Sequence, residues 1–185
     1  QPKKVANFSL EDPTGQKVRL EDFKDKKAVV VLFLGTQCPI NNAYAPRLVD
    51  LSARFADKAV QFLAINSNDH DTPQTIAEHA KKHRLPFPVL RDSGQKAADL
   101  FGAERTPEVF LLDEQRAIRY RGRIDDQYGI GFQRPQATRP DLAAALEEVL
   151  AGKEVSVPRT EVAGCLIARA PRPKGEAKVN FSKHV

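Results

Sequence analysis

The chain has 185 residues, 41% hydrophobic and 29% charged, with a net charge of +5 and two cysteines. That length suits one domain with extensions. The longest apolar run, Ala28 to Leu34, is too short to span a bilayer, and two cysteines 127 positions apart make neither a disulfide framework nor a zinc site.

In chain order, residues 6–10 and 17–20 are strand-like segments around the turn Glu11-Asp-Pro-Thr-Gly15, which predicts an N-terminal β-hairpin. After a charged turn at Lys24–Lys27, the β-branched run Ala28–Leu34 reads as a strand buried on both faces. Leu48, Leu51 and Phe55 recur at helical spacing, which predicts a helix over Asn41–Phe55. Val60–Asn66 is a second strand. A polar loop, Asn68–Pro73, then leads to a helix ending near His83, with Thr72 as N-cap and Pro73 at its first position. Phe87–Leu90 is a short strand and Lys96–Phe101 a short helix. Glu108–Leu112 and Ala117–Tyr120 should pair as a hairpin. Residues 129–138 form a Gly/Pro/Gln loop. Pro140–Leu150 is a last helix, capped near Thr138 or Arg139 and ended by Gly152. Residues 152–185 hold seven Lys/Arg against three Asp/Glu, so the basic charge belongs to a tail, which has little periodicity and reads as extended or loosely ordered. No cluster of Lys/Arg with aromatics appears, so no nucleic-acid partner is expected. The chain begins at Gln1 with no leader in view and reads as mature or trimmed. The element order implies an α/β sandwich with a parallel centre.

Cys38 follows the buried strand and opens a helix. Unsatisfied N–H groups at such a helix start carry partial positive charge, which stabilises a thiolate and activates the nucleophile. An inert buried thiol accounts for the residue about as well. Pro39 fits the first turn, where its missing N–H costs nothing. Pro46 lies inside the helical pattern, where a proline costs about 3 kcal/mol and therefore has a reason to be there. Thr106-Pro107, directly before a strand, is a candidate cis-proline.

The strand "AVVVLFLGT", the stretch "CPINNAYAP" and "RTPEVFLLD" about seventy residues on together resemble the thioredoxin superfamily. Cys38, Asn41 and Pro46 fall on that family's Cys-x-x-Cys-x-x-x-x-Pro pattern, with Asn41 where the second cysteine would stand. "GTQCPINNAYAP", "AINSND", "TPEVFLLD", "YRGRIDD" and "GCLI" resemble more closely its peroxiredoxin-like branch, the redoxin or AhpC/TSA type. The implied fold is a thioredoxin-like three-layer α/β sandwich over residues 1–152. It has an N-terminal hairpin extension, followed by a basic, Pro-containing tail, residues 153–185, that carries Cys165. A peroxiredoxin has a threonine three residues before its peroxidatic cysteine. Here that position is Gly35, with Thr36 two before, and Arg105 is the nearest candidate for the family's arginine.

The resemblance implies a thiol-disulfide oxidoreductase. Cys38 would be its nucleophile, Thr106, Pro107 and Pro39 would border the substrate groove, and Thr36, Gln37 and Asn41 would support the loop. Cys165 has two readings: a small apolar residue in a packed Gly-Cys-Leu-Ile patch, or a resolving cysteine brought to Cys38 by a tail that folds back. The thirteen residues from Gly152 to Cys165 could reach about 40 Å. A Cys38–Cys165 bond would be worth roughly 5 kcal/mol in loop entropy and would imply an oxidising compartment, hence a bacterial, extracytoplasmic protein, a cytoplasmic one being the alternative. The expected partner is a protein or small-molecule disulfide or thiol, with no nucleic acid, membrane insertion, metal or cofactor. The alternatives are a non-catalytic interaction or Cu(I)-handling module held by a structural Cys38–Cys165 disulfide, and a thiol peroxidase. Asp125-Asp126 reads as a solvated pair or a general-base or cation pair, Asp69-His70-Asp71 as a metal cluster on paper only, Tyr44 as packing, and His79, His83 and His184 as surface residues. The ending "KVNFSKHV" resembles the lead-in to a c-type-haem segment of longer bacterial proteins. No Cys-x-x-Cys-His occurs, so no haem is expected, and the chain reads as part of a larger one.

Overall fold

The fold grows from one strand. Every residue of the run Ala28–Phe33 is buried, and each large side chain there contributes about 1.5–3 kcal/mol by leaving water. The computed structural model describes residues 2–171. Its main sheet contains β1 (Ser9–Glu11), β2 (Lys17–Arg19), β3 (Ala28–Phe33), β4 (Val60–Asn66), β5 (Val89–Arg91), β7 (Glu108–Leu112) and β8 (Ile118–Gly122), in the order β2-β1-β5-β4-β3-β7-β8. The short β6 (Arg105–Thr106) stands outside this sheet. The centre, β5-β4-β3, is parallel, and β7 and β8 continue it antiparallel. The N-terminal hairpin joins this sheet through Glu11 opposite Arg91, so it extends the sheet instead of standing apart.

Alternate residues of β3 serve two layers. Ala28, Val30 and Leu32 pack with Leu48 and Phe55 of α1 (Pro39–Phe55), Ile76 of α2 (Pro73–Lys82), and Leu142 and Leu146 of α4 (Asp141–Leu150). Val29, Val31 and Phe33 face Leu20 and the α3 helix (Lys96–Phe101), where Phe33, Phe101 and Phe110 meet ring to ring. The predicted sandwich is therefore present, and α2 has the expected Thr72 cap, whose side chain accepts from Thr75 N.

Several boundaries move for local reasons. α1 starts at Pro39, since proline at N1 is preorganised for the helix. Thr138 does not cap α4; its N–H and hydroxyl donate to Asp126 instead. The 129–138 loop begins with a small hairpin, β9 (Tyr128–Gly129) with β10 (Phe132–Gln133). Asp125 and Asp126 are buried braces and not a solvated pair. Asp125 accepts from Tyr44 Oη at 2.6 Å and from Arg47, and Asp126 from Arg139 N at 2.8 Å.

The largest departure is the tail. Residues 153–171 have almost no regular structure, as their sequence suggests, yet they are strapped to the body. Arg121 N donates to Pro158 O at 3.0 Å, and the Thr160 hydroxyl accepts from Arg123 N at 3.0 Å. Farther on, β11 (Cys165–Leu166) pairs antiparallel with β6. Ile167 is only 5% exposed and packs into the core beside α3. Ala168 bonds both ways with the Asn68–Asp69 loop, and Arg169 pairs with Asp99 at 2.7 Å. The haem-like lead-in and His184 lie outside the described residues.

Gly122 is required where the strap crosses β8. Its φ is +146°, and a Cβ there would come 2.1 Å from Thr160 Oγ1 and 2.7 Å from the Thr160 carbonyl oxygen. Gly122→Ala should lower stability by about 1–3 kcal/mol, the usual cost of overpacking, read as a lower urea midpoint, and should make the 153–171 segment more protease-sensitive. An unchanged midpoint would mean that the strap contributes nothing there.

Candidate active site

Parallel β3 and β4 end within one residue of each other, with Phe33 opposite Ile65, so the loops that follow them, residues 34–38 and 67–71, lie side by side at the carboxyl edge of the sheet. The cis Thr106-Pro107 bond approaches the same edge, as the sequence predicts. Gly35 allows that approach: a Cβ on it would meet Asn68 Nδ2 at 2.7 Å and Thr106 Oγ1 at 3.4 Å.

Amides hold the Cys38 loop. Asn41, buried, bonds Gly35 through both ends of its side chain, Nδ2 to Gly35 O at 2.9 Å and Gly35 N to Oδ1 at 3.2 Å. The position that would carry a second cysteine thus carries a loop clamp. Asn42 Nδ2 donates to Thr36 O at 3.1 Å, and its Oδ1 accepts from His79 Nε2 at 2.7 Å. His79 is therefore not a surface histidine; burial, helped by the neighbouring His83, pushes its pKa down to about 4, which keeps it neutral at physiological pH. Thr36 Oγ1 donates to Asp71 at 2.7 Å, and Asn66 Nδ2 donates to the same carboxylate at 2.9 Å. Burial raises the Asp71 pKa, but the Thr36 and Asn66 hydrogen bonds outweigh it, so the carboxylate stays ionised. Gln37 and Pro39 are exposed on either side of the buried cysteine.

Cys38 is the N-cap of α1 and 4% exposed. Its thiol donates to the Thr106 carbonyl at 3.3 Å. The β6–β11 pairing sets Cys165 opposite Thr106, so the tail cysteine and Cys38 meet on the same backbone position. Both are free thiols, Cys38 buried and Cys165 exposed. Gly164 makes the crossing possible, because a Cβ there would lie 2.2 Å from Thr106 O. The sequence resemblance to the family's arginine lands on Arg105, whose guanidinium donates to Gly164 O at 2.8 Å and so serves the tail.

The electrostatics of the two sulfurs diverge. Burial pushes the Cys38 pKa up, but hydrogen bonding by the Cys165 thiol and by the backbone N–H groups of Asn41 and Cys165 favours the thiolate more, and the net shift is downward. Although Cys165 is largely exposed, partial desolvation of its thiol, then its hydrogen bond to Cys38 and the charge there, push it up to about 11, with Arg105 pulling the other way. One sulfur favours the thiolate while the other is held protonated.

Cys38, Thr36, Asn41, Thr106 and Pro107 are legible from motif and spacing, whereas the sequence leaves Cys165 open between a packed apolar residue and a partner of Cys38. Asp71, Asn68 and Gly164 are not marked for these roles by the sequence reading. The available signal is the polar run "AINSND" directly after a buried parallel strand, since such loops converge at the carboxyl edge of a sheet.

A sheet of this order, with a helix-capping cysteine facing a cis-proline loop, defines a thioredoxin-like protein. A structure titled as a putative thiol:disulfide interchange protein DsbE from Chlorobium tepidum shares that fold, with TM-score 0.62 and 20% identity over 82% of this chain and 96% of its own. Within that class, the AhpC/TSA family matches residues 2–121, and the chain belongs to it. A curated relative, thiol-disulfide oxidoreductase ResA of Halalkalibacterium halodurans, is 28% identical over 114 residues, which span 62% of this chain and 63% of that protein. A hypothetical protein from Sinorhizobium meliloti 1021 has a solved structure with TM-score 0.84 and 33% identity, covering 92% of this chain and 95% of its own. That coverage exceeds what residues 1–152 alone could supply, so the similarity includes part of the tail.

Alkylation by iodoacetamide, followed residue by residue against pH, should give Cys38 a midpoint below the free-thiol value of about 8.5 and Cys165 one near 11. In Cys38→Ser the Cys165 midpoint should fall, because the partner thiolate that raises it is gone. Equal midpoints, or no response of Cys165, would contradict the coupling.

Proposed function

We propose that this protein is a bacterial thiol-disulfide oxidoreductase in which Cys38 is the nucleophile and Cys165 the resolving cysteine. The single observation that carries the reading is the seating of Cys165 opposite Thr106, whose carbonyl accepts from the Cys38 thiol. The family and the ResA relatives support the reaction class.

The Cys38 thiolate attacks one sulfur of a substrate disulfide. A Cys38–substrate bond forms as the substrate S–S bond breaks, and the second substrate sulfur leaves as a thiolate that takes up a proton. The negative charge on Cys38 has then gone, and with it part of what holds Cys165 protonated, while Arg105 continues to favour the Cys165 thiolate. Cys165 loses its proton and attacks the Cys38 sulfur. The Cys38–Cys165 bond forms, the first substrate sulfur is released as a thiol, and two electrons have passed from the enzyme dithiol to the substrate. Run backwards, the same steps oxidise a dithiol. Asn41, Asn42, Thr36 and Asp71 position the Cys38 loop, Thr106 meets the sulfur through its carbonyl, and Pro107, Pro39 and Gln37 flank these two residues in the chain.

Such a pair persists in an oxidising compartment, which favours an extracytoplasmic site. Among the described residues, no helix is long and apolar enough to cross a membrane. A protein or small-molecule thiol or disulfide is the partner, and the redox unit is residues 1–152 with the Cys165 tail.

With an excess of a chromogenic aromatic disulfide, the wild type should release two thiol equivalents per chain, one from attack by Cys38 and one from resolution. Cys165→Ser should release one and retain the aromatic adduct on Cys38, visible by intact mass. A Cys165→Ser protein that still releases two equivalents, or a wild type that stops at one, would show that Cys165 does not resolve.

A further inference from the structure

A short edge strand beside a nucleophilic sulfur is a natural docking place for an extended polypeptide, which would add to it by backbone hydrogen bonds. Here the edge is β6, at Arg105 and Thr106, and this chain's own backbone already fills it. Cys165 lies opposite Thr106 and Leu166 opposite Arg105, and the ladder continues with Ile167 N donating to Glu104 O at 2.9 Å.

The occupant is fastened at both ends. Upstream, Thr160 is held at β8, with Thr160 N donating to Arg121 O at 3.1 Å. Downstream, the Ile167 side chain is in the core. Ala168 O accepts from Asp69 N at 2.9 Å and Gln95 Nε2 at 2.8 Å, and Ala170 N donates to Gln95 Oε1 at 3.0 Å. A polypeptide that sought this edge would have to strip away the strap and expose Ile167. Gly164 crosses so close to Thr106 O that no second backbone fits between them.

We infer that β11 is the specificity element of this site: it closes the Thr106 edge to extended polypeptides and leaves Cys38 to low-molecular-weight disulfides, which bring a sulfur without a strand. The inference rests on the oxidoreductase reading and narrows its substrate class. Leu166, 67% exposed, then stands beside the pair as an apolar contact on the outer face of the strap.

The test uses the full chain in a Cys165→Ser background, so that the mixed disulfide on Cys38 accumulates and can be weighed. Two probes are compared: oxidised glutathione, and the symmetric disulfide of a ten-residue peptide whose single central cysteine is flanked by β-branched residues. Rates of adduct formation are measured alone and with Ile167→Asp, which removes the core anchor, or Gly164→Val, which forces β11 off Thr106. The starting protein should prefer the small disulfide by about tenfold or more, and each strap variant should raise the peptide-to-small rate ratio by about tenfold. The ratio cancels any general change in Cys38 reactivity, and the small-disulfide rate reports whether each variant retains a folded site. Comparable rates with both probes in the starting protein, or a ratio that neither variant moves, would overturn this inference alone. Failure of Cys38 to react with either probe would overturn the oxidoreductase reading and this inference with it.

Discussion

The site depends on one antiparallel contact, Cys165 against Thr106. Thr106 O takes a hydrogen bond from Cys38 and lies under Gly164, so one peptide unit touches both sulfur-bearing segments. Everything else serves that meeting. The parallel centre of the sheet brings the Cys38 loop beside the loop of residues 67–71, the cis-proline turn brings Thr106 across, and the strap from Pro158 to Ala170 returns the tail.

The asymmetry between the sulfurs follows from where each sits. Cys38 stands at a helix start, where unsatisfied N–H groups favour negative charge. Cys165 lies on a two-residue strand, and its strongest electrostatic neighbour is Cys38 itself. Two thiols this close cannot both ionise cheaply, so the one with the better backbone environment ionises first. Asn41, where the related pattern has a cysteine, clamps Gly35 with both ends of its side chain, and the other cysteine of the chain lies 127 residues from Cys38 in sequence.

Much of the frame is readable in the residues. Val29 to Phe33 form a β-branched and apolar run with no polar face, which suits a strand buried on both sides. Thr72-Pro73 supplies a cap and a preorganised first turn, and Cys38 with Pro39 carries the helix-start chemistry openly. Thr106-Pro107 stands out because proline is tolerated in a strand only at its start, at an edge or at a bulge. The tail is not readable in the same way. Residues 153–171 are held by backbone and side-chain hydrogen bonds to scattered loops and by the single buried Ile167, and such contacts leave no periodic trace. Asp125-Asp126 reads as solvated because charge alone is visible in the sequence; their partners, Tyr44, Arg47, Thr138 and Arg139, are distant in sequence or carry the bond through backbone N–H.

The pairing of the two cysteines is tested most directly by a redox titration of the untreated protein, with each sample alkylated, digested and searched for a Cys38–Cys165 linked peptide. The expected result is a single two-electron transition of that peptide at a potential above about −300 mV, where a working pair exchanges with its surroundings. Two thiols that alkylate independently at every potential would contradict the pairing, and a bond that resists reduction below about −300 mV would mark a structural staple instead of a catalytic pair.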